Sequence, residues 1–138
     1  MRLVYVAGPY RGPSAWKIEE NIRRAECLAL EVWKGGMACI CPHTNTRFYQ
    51  GEAADEIWLQ GDLEIMSRCD WVLMVPGWES STGATAERDY AIRIGIPVVY
   101  SLEELWRRNW GGRQDQSTKL GGVSVPGEIL LSDPLAGP

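Results

Sequence analysis

Four short apolar runs alternate along the first hundred residues with stretches of helical periodicity, and this rhythm constrains the fold more than any other feature of the chain. The runs cover residues 2–7 (RLVYVA), 37–41, 70–75 (DWVLMV) and 97–100, each flanked by Gly or Pro. The third is apolar at nearly every position, as expected of a strand in a parallel sheet covered on both faces. Between the first two runs, Ile18, Ile22, Ala25, Ala29 and Val32 recur at three- and four-residue steps and form one apolar stripe over residues 15–34. Ser14 stands where an N-cap is needed, and Gly35 and Gly36 stand where a helix stops. Residues 55–68, opened by Asp55 as cap, and residues 83–94 read as two further helices. Ser101 caps a final short one containing Leu102, Leu105 and Trp106. The order β-α-β-α-β-α-β-α predicts a doubly wound α/β fold, flavodoxin- or Rossmann-like. It has a mainly parallel sheet of four to five strands and helices on both faces. After Asn109 the composition turns to Gly, Ser, Pro and Gln. Residues 1–109 therefore read as one domain and 110–138 as a tail, with either an edge strand at 123–131 or a contact to a partner subunit.

A net charge of −4 over 138 residues argues against a nucleic-acid polymer as partner, which needs a cationic face, while leaving room for a local grip on one phosphate. No apolar run reaches membrane-spanning length and the N-terminus lacks the layout of a signal peptide, so a soluble, cytoplasmic protein is expected. Cys27, Cys39, Cys41 and Cys69 lack the spacing of a disulfide scaffold or a zinc site. With His43 the single histidine, they read as structural thiols, and neither metal nor cofactor is expected.

Ligands of open α/β sheets bind beyond the carboxyl ends of the strands. Three loops meet that description. The first, Gly8, Pro9, Tyr10, Arg11 and Gly12, combines glycines for close backbone approach with a cation ahead of a helix N-terminus. It reads either as a phosphate grip or as a solvated turn, and it is neither a P-loop nor a Gly-x-Gly-x-x-Gly dinucleotide loop. The second, residues 42–54, carries His43 and Asn45. The third holds Trp78, Ser80, Ser81, Thr82 and Gly83, with Glu87 one turn into the helix that follows. Its hydroxyls form either an anion cradle or an ordinary cap. Asp62, on the helix leading to the third strand and flanked by Leu59, Leu63 and Met66, offers a second carboxylate. Glycoside chemistry needs such a pair, one group to attack the anomeric carbon and one to help the leaving group depart, and it needs no metal.

In order and spacing these residues resemble the nucleoside 2-deoxyribosyltransferase superfamily, most closely its 2′-deoxynucleoside 5′-phosphate N-hydrolase and CMP hydrolase branch. The similarity spans residues 3–99. It is carried by Tyr5-Val6-Ala7-Gly8-Pro9-Tyr10-Arg11-Gly12, by Asp62-Leu63-Glu64 with Cys69-Asp70, and by Ser81-x-Gly83-x-x-x-Glu87-x-x-x-Ala91. The resemblance implies Glu87 as nucleophile, Asp62 as the group assisting the leaving base, and Tyr5 as the hydroxyl that orients Glu87. It places phosphate or substrate contacts at Gly8, Tyr10, Arg11, Gly12, Ser80, Ser81 and Gly83, and a base pocket at His43, Asn45 and Trp78. The transferases carry an acid where this chain has Ser81, and an acid would repel a phosphate that a serine can hold. The resemblance thus implies hydrolysis of a nucleoside 5′-monophosphate by a homodimer or higher homo-oligomer. Base exchange on unphosphorylated deoxynucleosides, or nucleotide sensing without turnover, stand as the alternatives.

Overall fold

The computed structural model of the protein describes residues 1–119, with side chains as far as residue 111. Strands β1 (Leu3–Ala7), β2 (Ala38–Ile40), β3 (Trp71–Met74) and β4 (Val98–Val99) form one parallel sheet in the order β2-β1-β3-β4. The register pairs Leu3 with Ala38, Tyr5 with Val72 and Leu73 with Val99. Helices α1 (Ala15–Lys34), α3 (Asp55–Met66), α4 (Thr82–Arg93) and α5 (Leu102–Lys119) supply the layers, with a one-turn helix α2 (Pro42–Asn45) between β2 and α3. The predicted doubly wound α/β class is the one observed. The candidate strand at 123–131 lies outside the described residues.

Side chains on adjacent residues of a strand point to opposite faces, and the two cores divide accordingly. Val4, Val6, Leu73 and Val75 pack with Ala25, Ala29 and Val32 of α1 and Leu105 of α5. Tyr5, Ala7, Val72 and Met74 meet Met66 of α3 and Ala84 and Ala91 of α4. This is the arrangement that right-handed crossovers impose, since the chain moves one way from β1 to β2 and the other way from β2 to β3 and β4. Each fully buried Val or Leu contributes about 1.5–3 kcal/mol.

Helix α1 is bounded as its sequence predicts. The Ser14 hydroxyl accepts from the Lys17 amide at 3.2 Å, and Gly35 closes the last turn. A Cβ at Gly35 would overlap the Trp106 ring, so the residue that ends α1 also lets α5 approach. Three boundaries differ from the reading above. Ala54, not Asp55, is the N-cap of α3, leaving Asp55 in the first turn where its charge favours the helix dipole. The predicted loop at 42–54 contains α2, started by Pro42 at its first position, where a proline loses no hydrogen bond. Helix α5 continues to Lys119, across the composition change at Asn109. Asn109 sits one turn after Leu105 and is buried like it, so the packed side of the helix continues through a polar residue.

The sheet reverses its winding between β1 and β3. Their carboxyl ends, Ala7 and Met74, therefore open the crevice where this class of fold binds ligands.

Candidate active site

Tyr5 is the one polar residue on the α3/α4 side of β1, and it is fully buried. Its hydroxyl donates to Glu87 Oε2, tying the central strand to α4 across 82 residues of sequence. Glu87 is the sixth residue of α4, beyond the first turn over which a helix dipole is felt. Burial pushes its pKa up to about 7. Tyr5 opposes that shift and the nearby Asp62 charge adds to it. Asp62, on the facing side of α3, is pushed up to about 6 by burial. Burial, followed by the Glu87 charge, drives the Tyr5 phenol far above its ordinary value, so it is a permanent donor. The three groups form one coupled set, with a carboxylate proton available near neutrality.

A cavity of about 500 Å³ opens over these groups. Helix α4 lines it with Thr82, Gly83, Ala86, Glu87, Tyr90 and Arg93, and α3 with Asp55, Trp58, Leu59, Asp62 and Leu63. Apart from Gln60 of α3, which also lines the cavity, both sets recur at three- and four-residue steps, so each is one helical face. Tyr10, Arg11, His43, Thr46 and Gln50 close the end beyond the strands. His43 Nε2 lies 2.8 Å from the Pro9 carbonyl and so carries the ring proton. Burial lowers the ring's pKa and holds it neutral, with the Tyr10 ring edge-on at 5.4 Å. Arg11 pairs with Asp55 at 3.0 Å, an exposed contact worth less than about 1 kcal/mol.

Of the residues singled out from sequence, Glu87, Asp62, Tyr10, Arg11, His43 and Gly83 meet in this cavity, with Tyr5 beneath it. The others lie elsewhere. A Cβ on Gly8 would come within 2.6 Å of Val75 Cβ, so this glycine permits strand approach. Gly12 is pressed on the first turn of α1, 2.9 Å from Lys17 Cβ by the same measure. The Ser80 hydroxyl donates to the Gly77 carbonyl at 2.9 Å, and Ser81 Oγ caps α4 by accepting from the Ala84 amide at 3.1 Å. Trp78 turns toward β4, its ring 5.6 Å from that of Tyr100 and under the Arg88 guanidinium. Asn45 is exposed at the end of α2. Trp58, Tyr90 and Arg93 went unnoticed in the sequence, although each stands three, four or six residues from Asp62 or Glu87 on the same helix. Among the described residues no group of three or more His, Cys, Asp or Glu is placed to hold a metal. Cys41 and Cys69 are free thiols buried in opposite cores. No helix among the described residues is long and apolar enough to cross a membrane.

The family model described as a domain of unknown function, DUF4406, matches residues 2–100. The chain belongs to this family. Tyr5, Asp62 and Glu87 and every cavity-lining residue fall inside the DUF4406 match, whereas α5 lies beyond it. No curated protein matches the chain significantly.

Proposed function

We propose that this protein hydrolyses the N-glycosidic bond of a (deoxy)nucleoside 5′-monophosphate, releasing free base and sugar phosphate. The observation that carries the reading is the convergence of Glu87, oriented by Tyr5, and Asp62 on one cavity. The resemblance to the nucleoside 2-deoxyribosyltransferase superfamily supports it, and two guanidiniums on the cavity wall, Arg11 and Arg93, suit an anionic substrate.

In the first step a Glu87 carboxylate oxygen bonds to the anomeric carbon as the C–N bond breaks. The bonding pair leaves with the base, which takes a proton from Asp62. In the second, Asp62 removes a proton from water, the hydroxide attacks the same carbon, and the Glu87 carboxylate is released. The cycle needs Glu87 ionised and Asp62 protonated, whereas burial ranks the free pair the other way, about 7 against about 6. Positive charge developing on the sugar beside Glu87 favours its ionised form and reverses that order, leaving the proton on Asp62. Tyr5, always protonated, holds the attacking carboxylate in line. The same proposal includes a cytoplasmic homo-oligomer. Leu59 on the cavity wall is 55% exposed, and Phe48 and Ile57, near the lining residues Thr46 and Trp58 in sequence, are 81% and 57% exposed, apolar surface suited to a second copy.

Incubation with a panel of deoxynucleoside and ribonucleoside 5′-monophosphates, read by mass spectrometry, is expected to yield free base and sugar 5-phosphate. Base release that continues undiminished in Glu87→Gln sinks the mechanism. A new nucleoside formed when a second base is added replaces hydrolysis with base exchange.

A further inference from the structure

The two ends of the cavity differ in charge. At the loop end the Arg11 charge is compensated by Asp55 at 3.0 Å. The neutral His43 ring, the edge-on Tyr10 and Trp58 supply flat, uncharged walls there. At the other end stands Arg93, one helical turn beyond Tyr90. Its guanidinium lies over the Tyr90 ring, 5.4 Å from the centroid, and among the described residues it forms no ion pair with a carboxylate. A guanidinium held against a ring face keeps its N–H donors free for an incoming oxyanion.

The hydroxyls of the third loop are differently occupied. Ser80 donates to Gly77 and Ser81 caps α4, and neither lines the cavity, which leaves Thr82 as the one hydroxyl of that loop on its wall, at the end opposite Arg93. Glu87 lies between the two ends, and six residues of helix separate it from Arg93, about 9 Å along the axis. A long side chain spans part of that distance and a sugar with its 5′-phosphate the rest. The base and the phosphate leave the anomeric region in different directions, so one cavity end must take each.

We propose that Arg93 is the phosphate anchor, with the base of the substrate directed toward Tyr10 and His43. This rests on the nucleotide reading above and refines it, because the phosphate contact moves from Arg11 and Ser81 to the far end of α4. The uncompensated cation takes the dianion, and the neutral aromatic end takes the base.

The test measures binding by calorimetry in a Glu87→Gln background, where turnover does not interfere. The probes are the four common deoxynucleoside 5′-monophosphates and the matching nucleosides. The monophosphate is expected to bind at least about tenfold tighter than its nucleoside. Adding Arg93→Met should bring that ratio to within about twofold, Arg93→Lys should restore part of it, and Arg11→Met should lower it by less than about threefold. A ratio that survives Arg93→Met, or that collapses in Arg11→Met instead, overturns the assignment, as does a parent protein with no preference for the phosphate. If wild-type protein liberates no base while the ratio and its loss hold, the hydrolase reading fails and the anchor stands. Circular dichroism confirms that the exposed Arg93 variants are folded.

Discussion

The two faces of the sheet are built to different ends. On the α1/α5 face, Val4, Val6, Leu73, Val75 and Leu105 interlock without an ionisable side chain from the central strands. On the α3/α4 face the same strands contribute Tyr5, and of the twelve residues of α3 only Met66 is buried. The space that α3 and α4 leave between them is the cavity, and the carboxyls placed in it are carried at raised pKa values. One face secures the fold, and the other gives up packing to hold ionisable groups in a partly dry place. Stability and chemistry should therefore respond to separate substitutions.

The sharpest break is at Glu87. Glu87→Gln should lower the rate of base release by at least about 10³-fold, as expected when a nucleophile acting in concert with its partners is removed. Circular dichroism should show the fold kept. On the packed face, Leu105→Ala should cost about 2–5 kcal/mol in urea unfolding, the usual cost of an empty core site, while the folded fraction still liberates base. A loss of activity without loss of stability there would erase the division between the faces. Tyr5→Phe should slow base release about tenfold to a hundredfold and raise the higher of the two apparent pKa values of the pH profile, since Glu87 loses the donor that favours its charge. In the wild type, kcat/KM should peak between about pH 6 and 7 and fall on both sides, the two limbs belonging to the Asp62–Glu87 pair.

The smallest effect is on stability. Glu87 has a folded pKa of about 7 against an ordinary 4.5, so the folded state binds the proton more tightly than the unfolded one. Its contribution is present at low pH and is lost as pH rises from about 4.5 through about 7. Glu87→Gln removes this dependence. The variant should thus gain Tm over wild type on going from pH 5 to pH 8, by the equivalent of roughly 1 kcal/mol once residual hydration is allowed for. An unchanged difference between the two pH values would show that the site is wetter than its geometry suggests.

Much of this was legible in the chain. Apolar runs bounded by Gly and Pro located every strand of the described residues, whereas the faces taken by Tyr5 and by Val4 and Val6 emerged only with the structure. Asp62 and Glu87 stood out as carboxylates on the helices flanking β3. Side-chain direction in the third loop was not legible. Gly77 takes a left-handed conformation at φ 91°, and a 3₁₀ turn over Trp78–Ser80 follows. The hydroxyls of Ser80 and Ser81 consequently satisfy nearby backbone groups, and Trp78 swings toward β4. A run of hydroxyls before a helix looks alike whether it caps or cradles, because both use the same donors and acceptors. Arg93 was not legible for the opposite reason: a cation in the last turn of a helix is the ordinary partner of the helix dipole, and nothing in the sequence separates that role from a place on the cavity wall. The length of α5 was hidden because glycines usually mark a stop, and burial at Asn109 does not depend on hydrophobicity.

The Tyr5–Glu87 bond has a consequence for how the protein comes into being. Its partners enter the nascent chain 82 residues apart, one in the first strand and the other in the fourth helix. Closing so long a loop costs entropy that local contacts do not return, so the bond forms only once β1 and β3 are paired and α4 has docked. A partly synthesised or half-folded chain cannot assemble the reactive pair. On the proposed function, the appearance of base release during refolding would then report completion of the whole sheet.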